Sequence, residues 1–137
     1  MIYLSRKVEF CASHRLHSPA MSDAENEELY GRCNNANGHG HNYVLEVTVG
    51  GSVNKDTGML MDLKALKQLL DREIVDRVDH KNLNVDVDFM QGIIPTAENV
   101  VLKFWDFLET ALPANCRLIE VRLWETDNNV AFYRGEK

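Results

Sequence analysis

The sequence predicts a single α+β domain, with two helices packed on one face of a four-stranded antiparallel sheet. Three observations lead to this prediction. Two long segments near the start of the chain alternate apolar and polar residues, two central segments repeat apolar residues at helical spacing, and two short alternating segments lie near the end. The predicted element order is therefore ββααββ, and a chain of 137 residues can enclose one hydrophobic core but not two.

The first two strands are expected over residues 3–14 and 39–51, because side chains two positions apart point to the same face of a strand. The apolar face of the first strand is formed by Val8, Phe10, Ala12 and His14, and that of the second by Tyr43, Leu45, Val47 and Val49. The intervening residues 18–38 are polar, and we interpret them as a loop that is long enough to be functional.

The first helix is expected to begin after Asp62, a favourable N-cap residue, and to end near Val78. Its apolar face repeats at helical spacing and consists of Leu63, Leu66, Leu69, Leu70 and Ile74. The second helix is expected after Pro95, with Thr96 as its N-cap, and Pro113 follows its end.

Two short strands over residues 117–125 and 130–133 complete the predicted sheet, with a turn at residues 125–129 between them. The apolar face of the third strand runs from Ile119 to Glu125. Long first strands in a small sheet leave backbone groups free at the sheet edges, which favours pairing between subunits.

The composition is that of an ordinary soluble protein, with 45% hydrophobic and 26% charged residues. No apolar run approaches the roughly 20 residues of a membrane span. We therefore expect a cytoplasmic protein without a signal peptide or a membrane partner. An odd number of cysteines, Cys11, Cys33 and Cys116, also favours a reducing compartment. A net charge of −6 argues against nucleic acid as a partner but leaves an anionic small substrate open.

Two histidines separated by one glycine, His39 and His41, begin the second predicted strand. They share one strand face, so both imidazoles can reach the same metal ion. His14 ends the apolar face of the first strand, and antiparallel pairing of the two strands would place it beside them. Three imidazoles with one open position are typical of a catalytic zinc site. His17, which lies beyond the first strand, is the competing third ligand.

Cys33 precedes the histidine pair in a loop rich in glycine and asparagine, unlike the apolar runs that usually hold structural cysteines. As a thiolate it would be a candidate base or nucleophile. The alternatives are that it binds zinc as a further ligand or that it has no role in the site.

Two further groups carry possible chemistry. Asp79 and His80 directly follow the first helix, where a carboxylate can orient an imidazole, although a helix-capping loop has the same composition. Glu125 ends an apolar strand face, where a salt bridge or a ligand with adjacent N–H donors would compensate for its burial. For Thr96 and Glu98, which open the second helix, we expect helix capping unless the site lies nearby.

Five ordered motifs give the chain a resemblance to the 6-pyruvoyltetrahydropterin synthase family over nearly its whole length. They are Phe-Cys-Ala-Ser-His-Arg-Leu-His at residues 10–17, Cys-Asn-Asn-Ala-Asn-Gly-His-Gly-His-Asn-Tyr at 33–43, Asp-His-Lys-Asn-Leu at 79–83, Thr-Ala-Glu-Asn at 96–99 and Trp-Glu-Thr-Asp-Asn-Asn at 124–129. The resemblance implies the tunnelling fold, in which three subunit sheets close a β-barrel. It also implies that two trimers stack as a homohexamer with active sites at subunit interfaces.

The resemblance implies roles for the residues that match these motifs. His14, His39 and His41 correspond to the ligands of one zinc ion per subunit. Cys33 corresponds to the catalytic base.

The remaining motif residues correspond to groups around the substrate. Asp79 and His80 resemble proton-relay partners of the base that a neighbouring subunit supplies. Glu125 resembles the residue that anchors the pterin ring, and Thr96 and Glu98 lie in a region that resembles the wall of the pterin pocket.

The implied reaction converts 7,8-dihydroneopterin triphosphate to 6-pyruvoyltetrahydropterin in tetrahydrobiopterin biosynthesis, catalysed by a lyase that eliminates triphosphate. Zinc would act as a Lewis acid, and Mg²⁺ could accompany the substrate triphosphate. Tautomerisation reduces the ring while it oxidises the side chain, so neither nicotinamide nor flavin is expected, and the sequence has no dinucleotide-binding fingerprint. Arg15 and Lys81, each beside a motif histidine, are candidate contacts for the triphosphate.

Two alternatives remain open. The 6-carboxytetrahydropterin synthases of deazaguanine (queuosine) synthesis share the substrate and zinc, but they typically have a shorter stretch between the cysteine and the histidine pair. The spacing from Cys33 to His39 therefore favours the pyruvoyl enzyme. A non-catalytic, zinc-stabilised assembly protein would use Cys33 as a fourth ligand, and it would give no reason for Asp79, His80 or Glu125.

Overall fold

The computed structural model describes residues 1–136 of the chain. Its strands are β1 (Ile2–His14), β2 (His39–Gly51), β3 (Lys81–Asn82), β4 (Arg117–Thr126) and β5 (Asn129–Tyr133). Its helices are α1 (Asp23–Tyr30), α2 (Leu63–Leu70), α3 (Asp76–Val78) and α4 (Ala97–Ala111). A π-helical turn, Asp71–Val75, joins α2 to α3, so together they form the first predicted helix. The predicted α+β class is confirmed.

The sheet has the strand order β3-β1-β2-β4-β5. β1 and β2 pair antiparallel along their full length, from Ile2 opposite Gly51 to His14 opposite His39. β2–β4 and β4–β5 are also antiparallel. Three of the four pairs of neighbouring strands are therefore antiparallel, as predicted, and the pair β1–β3 is not.

The prediction of four antiparallel strands was wrong in one respect, because β3 adds a fifth strand that lies parallel to β1. It pairs Lys81 with Ala12 and Asn82 with Ser13. A strand of two residues is too short to show an alternating pattern, and its partner lies about 70 residues earlier in the chain. Closure of a barrel between three subunits stays a prediction.

A short helix, α1, occupies part of the stretch that we interpreted as a loop. Ser22 and Glu25 form a capping box, in which the Ser22 hydroxyl accepts from the Glu25 amide and the Glu25 carboxylate accepts from the Ser22 amide. The buried Asn26 donates its amide protons to the carbonyl oxygens of Ser18, Met21 and Ser22. This helix is held by polar bonds and lacks an apolar stripe, which is why periodicity did not predict it.

The hydrophobic core lies between one face of the sheet and helices α2 and α4. Phe10 stacks on Tyr43 with ring centroids 4.9 Å apart, and Phe104 of α4 meets Phe10 edge-on at 5.9 Å. Both predicted N-caps are observed, since Asp62 accepts from the Lys64 amide and Thr96 from the Asn99 amide. The core face of β1 and β2 continues without a break into the histidines at the end of the sheet.

Within the described part of the chain, no helix combines the length and the apolar character that crossing a membrane requires.

Candidate metal centre and active site

The register of β1 and β2 determines which side chains meet at one end of the sheet. His14 lies opposite His39, and His41 lies opposite Ala12, as the predicted antiparallel pairing requires. Gly38 precedes β2 with φ of 74°, and a Cβ atom at this position would lie 2.8 Å from the carbonyl oxygen of His14. The chain therefore needs glycine where it approaches the end of β1.

The three imidazole rings form one compact cluster. The ring centroids of His14 lie 5.1 Å from those of His39 and His41, which are 4.6 Å from each other. The Nε2 atoms of all three rings are buried, and none has a hydrogen-bond partner among residues 1–136. Because buried polar atoms are nearly always paired, three orphaned nitrogens in one cluster indicate a site for a bound group.

The other ring nitrogen of His14 is engaged. Nδ1 lies 2.9 Å from the carbonyl oxygen of Pro95 and 3.4 Å from the hydroxyl of Tyr43. A carbonyl oxygen only accepts, so Nδ1 carries the proton and Nε2 presents a lone pair. Burial lowers the pKa of His14, and burial likewise lowers that of His41, so both rings favour the neutral form that binds metals.

Cys33 and Glu125 extend the cluster on two sides. The ligand atoms of His14, Cys33 and His39 all lie within 4.8 Å of one another, and so do those of His14, His41 and Glu125. Burial, with a smaller contribution from the Glu125 carboxylate, raises the pKa of the Cys33 thiol. The geometry thus places Cys33 beside two imidazoles, where it can serve either as a base or as a ligand.

Glu125 joins the cluster to a neighbouring cavity. One of its carboxylate oxygens lies 3.7 Å from Nε2 of His41. A cavity of about 350 Å³ opens beside it, and its lining includes Glu98, Asn129 and Phe132. This volume lies within the range of small-molecule pockets, and two carboxylates line it.

Thr96 does not line that cavity. Its hydroxyl accepts from the Asn99 amide at 3.2 Å, which is the capping role that we expected in the absence of a nearby site. Glu98, two residues later, does face the cavity. At the start of α4, Glu98 therefore lines the cavity, whereas Thr96 caps the helix.

Asp79 and His80 form a pair at a different place. Oδ2 of Asp79 lies 2.9 Å from Nδ1 of His80, and Oδ1 accepts from the Cys11 amide at 2.8 Å. The pKa of Asp79 is lowered mainly by the hydrogen bond from the Cys11 amide, and the contacts with His80 lower it further. His80 has φ of 61°, an uncommon conformation for a residue other than glycine, and its side chain is 82% exposed. Neither residue belongs to the two sets of potential metal ligands in its own chain.

His17, the competing third ligand, also lies outside both sets. Its Nδ1 atom is 3.0 Å from the side-chain nitrogen of Asn34. Arg15, proposed as a triphosphate contact, donates from Nε to the carbonyl oxygen of Asn34 at 3.0 Å.

The donor set fits zinc. Zinc prefers imidazole nitrogen, thiolate sulfur and carboxylate oxygen in small coordination numbers, and the cluster offers these donor types and no other. The bond from His14 to Pro95 is the kind of outer-shell contact that orients a ligating imidazole.

Sequence reasoning missed several residues around the site. The carbonyl oxygen of Pro95 gives no sequence signal, because every residue carries one. Asn129 lay within the motif at residues 124–129 but was given no role, and Phe132 could have been inferred from the turn at the end of β4, which returns the chain past Glu125. Asn34 lay within a quoted motif, but its partners become visible only in the folded chain.

Comparisons with known proteins show which family the chain belongs to. The family model described as 6-pyruvoyl tetrahydropterin synthase matches residues 3–136. The human protein named 6-pyruvoyl tetrahydrobiopterin synthase is 47% identical over 133 residues, which cover 97% of this chain and 91% of the human one.

Two further relatives complete the comparison. The structure of Caenorhabditis elegans 6-pyruvoyl tetrahydropterin synthase superimposes with a TM-score of 0.91 at 41% identity, covering 98% of this chain and 96% of the nematode chain. A 6-carboxy-5,6,7,8-tetrahydropterin synthase of Aquifex aeolicus is 29% identical over 162 residues, which cover 97% of this chain and 98% of the bacterial one. The chain therefore belongs to the 6-pyruvoyl tetrahydropterin synthase family.

Proposed function

We propose that the protein is a zinc-dependent lyase that converts 7,8-dihydroneopterin triphosphate to 6-pyruvoyltetrahydropterin and triphosphate, in tetrahydrobiopterin biosynthesis. Membership of the family supports a role in pterin biosynthesis. The observation that carries the proposal is the convergence of three buried, unpartnered imidazole nitrogens beside a cysteine and a carboxylate.

His14, His39 and His41 would hold the zinc ion and leave one coordination position open. Burial lowers the pKa values of His14 and His41, which favours their neutral state. When bound, zinc supplies Lewis-acid polarisation of the oxygens on the substrate side chain.

Cys33 would act as the base that moves protons on and off carbon. Its sulfur lies beside the imidazoles of His14 and His39, and it is only partly buried. The raised pKa of its thiol means that positive charge nearby is needed to favour the thiolate at neutral pH.

Asp79 and His80 would be the second proton-transfer group. The Asp79 carboxylate holds Nδ1 of His80, which fixes the imidazole tautomer and leaves Nε2 to exchange protons. Because the His80 side chain is largely exposed and belongs to neither set of potential metal ligands in its own chain, we propose that it serves the site of a neighbouring subunit.

Glu125 would anchor the pterin ring. A carboxylate that faces a cavity can accept two hydrogen bonds from adjacent ring N–H groups. Glu98 lines the same cavity and would add a second acceptor, whereas Thr96 supports the site by capping α4. The reaction needs no external redox cofactor, because reduction of the ring balances oxidation of the side chain.

We further propose a homohexamer in which three sheets close a β-barrel and two such trimers stack. β5 is the terminal strand at one side of the sheet, and only Ala12 and Ser13 of β1 are paired with β3 at the other side. Both sides therefore offer backbone groups for pairing with another subunit.

The test is incubation of the zinc-loaded protein with 7,8-dihydroneopterin triphosphate, followed by mass analysis of the products. We expect 6-pyruvoyltetrahydropterin and free triphosphate. The alternative product of the related family, 6-carboxytetrahydropterin, carries one side-chain carbon in place of three and is therefore separable by mass. Recovery of that product, or of unchanged substrate, would contradict the proposal.

The position of Cys33 is also compatible with the non-catalytic alternative. The ligand atoms of Cys33, His14 and His39 are close enough for a shared metal, so a closed site that includes the thiolate would be purely structural. Such a protein would bind zinc without converting the substrate.

A further inference from the structure

The segment that follows β1 is bonded to the loop that carries Cys33. The Leu16 amide donates to the carbonyl oxygen of Cys33 at 2.7 Å. Nε of Arg15 donates to the carbonyl oxygen of Asn34 at 3.0 Å. These bonds hold Cys33 against Leu16, which lies two residues after His14 in the sequence.

The Asn34 side chain adds two bonds to the same segment. Its amide nitrogen lies 2.8 Å from the carbonyl oxygen of Leu16 and 3.0 Å from Nδ1 of His17. The Leu16 carbonyl oxygen accepts one of the two side-chain amide protons of Asn34. Nδ1 of His17 accepts the other, so the ring proton of His17 lies on Nε2. Both protons of the Asn34 amide are therefore used, and His17 serves as an acceptor in this contact.

The opposite side of the segment is held as well. Oδ1 of Asn84 accepts from the Arg15 amide at 2.7 Å, and Nδ2 of Asn84 donates to the Arg15 carbonyl oxygen at 2.9 Å. This paired contact continues the backbone pairing of β1 with β3, where the Leu83 amide donates to the Ser13 carbonyl oxygen. The segment is thus a fixed support against which Asn34 can hold its loop.

The loop itself has few other attachments near the cysteine. Cys33 lies in a short 3₁₀ turn, Gly31–Asn34, in which no residue is buried. Asn35, the residue that follows this turn, bonds within the loop, where its side chain accepts from the Asn37 amide at 3.0 Å. Packing therefore contributes little to the position of the Cys33 sulfur, and hydrogen bonds must supply it.

We propose that Asn34 is the positioning residue for Cys33. It holds the 3₁₀ turn against Leu16 and His17 and thereby keeps the thiol beside His14 and His39. The catalytic part of this proposal rests on the proposed role of Cys33 as the base. A displacement of about 1 Å in a reacting group can cost about 100-fold in rate, so loss of these two bonds should appear in turnover.

Three variants test the proposal in the zinc-loaded protein. Asn34→Ala removes the side chain, and Asn34→Asp keeps its shape but lacks both N–H donors. Asn35→Ala is the matched control, because it alters the same loop and leaves residues 15–17 untouched. For both Asn34 variants we expect kcat to fall about 10- to 100-fold, with KM within about threefold and the zinc content retained. Asn35→Ala should behave as the wild type.

A second measurement does not depend on activity. The Leu16 amide donates to Cys33, so its hydrogen exchange reports directly on whether the loop stays in place. We expect this amide to exchange about tenfold faster in both Asn34 variants than in Asn35→Ala. Unchanged exchange, or wild-type kcat in Asn34→Asp, would overturn the proposal. If the wild type itself does not convert the substrate, the proposed function fails while the exchange result still decides whether Asn34 holds the loop.

Discussion

Nδ1 of His14 lies 2.9 Å from the carbonyl oxygen of Pro95, which immediately precedes the N-cap of α4. This bond assigns the proton of His14 to Nδ1 and leaves Nε2 to bind a metal. It also links the end of β1 to the start of the helix that carries Glu98. This contact therefore links the proposed metal ligand to the element that lines part of the proposed substrate cavity.

The three histidines should bind zinc jointly. His39→Ala and His41→Ala should each lose zinc and abolish turnover, because two imidazoles hold the ion far more weakly than three. His14→Ala should do the same, because loss of an outer-shell partner alone typically weakens metal affinity by about 10- to 100-fold and loss of a ligand should weaken it further. Metal analysis of the purified variants measures this directly.

His17→Ala is the control for that series. It should retain zinc and most of its turnover, because His17 lies outside both ligand sets and Asn34 can still bond to Leu16. Full zinc occupancy in His14→Ala would refute the ligand assignment.

Replacing Cys33 separates its possible roles. If Cys33 is a base, Cys33→Ala should keep its zinc and bind substrate, while turnover falls by about 10²–10⁴, the usual contribution of a positioned acid–base group. Folding should change little, since the side chain lies in a polar loop and is only partly buried. Zinc content and kcat are measured on the same preparation.

Glu125→Gln is the matched control for the cysteine variant. It places an amide donor against the ring N–H groups and should mainly weaken pterin binding. Equal loss of substrate affinity in both variants would argue that Cys33 contacts the ring and does not act as the base.

The active site should be completed by a neighbouring subunit. Cys33→Ala and His80→Ala subunits are each expected to have greatly reduced turnover, but mixed oligomers would contain some sites with Cys33 from one chain and His80 from another. Mixing the two variants under conditions that exchange subunits should therefore restore part of the activity. If verified mixed oligomers remain inactive, both groups act within one chain.

The metal-free protein should lose stability in mild acid. Burial holds the pKa of His14 below its ordinary value of 6.5. Below that pH the unfolded chain binds more protons at this residue than the folded chain, so the free energy of unfolding decreases as the pH falls. Urea midpoints measured between about pH 7.5 and 5 should fall less steeply in His14→Gln, and equal slopes would contradict this assignment.

The regular elements that form the core could be predicted from sequence. The alternating faces of β1 and β2 and the helical repeats of α2 and α4 are direct consequences of burying one side of each element. α1 could not be predicted by periodicity, because Ser22, Glu25 and Asn26 hold it by polar bonds. The spacing of Ser22 and Glu25, which is that of a capping box, was a sequence signal for the start of this helix.

The candidate site was predictable where it depends on strand geometry. Strand parity and antiparallel pairing place His14 beside His39 and His41. The parts that were missed depend on contacts between distant segments. The Pro95 carbonyl oxygen lies 81 residues from His14, and Asn34 acts on residues that precede it by 17 and 18 positions. Such contacts leave no local pattern in the sequence.

X-ray absorption spectroscopy at the zinc edge of the zinc-loaded protein tests the central claim most directly. We predict a first shell of three imidazole nitrogens at about 2.0–2.1 Å and one further light atom, with no sulfur. The Cys33→Ala variant should then give the same spectrum as the wild type. A sulfur ligand at about 2.3 Å that disappears in Cys33→Ala would make the cysteine a fourth ligand, close the open position and contradict the proposed mechanism.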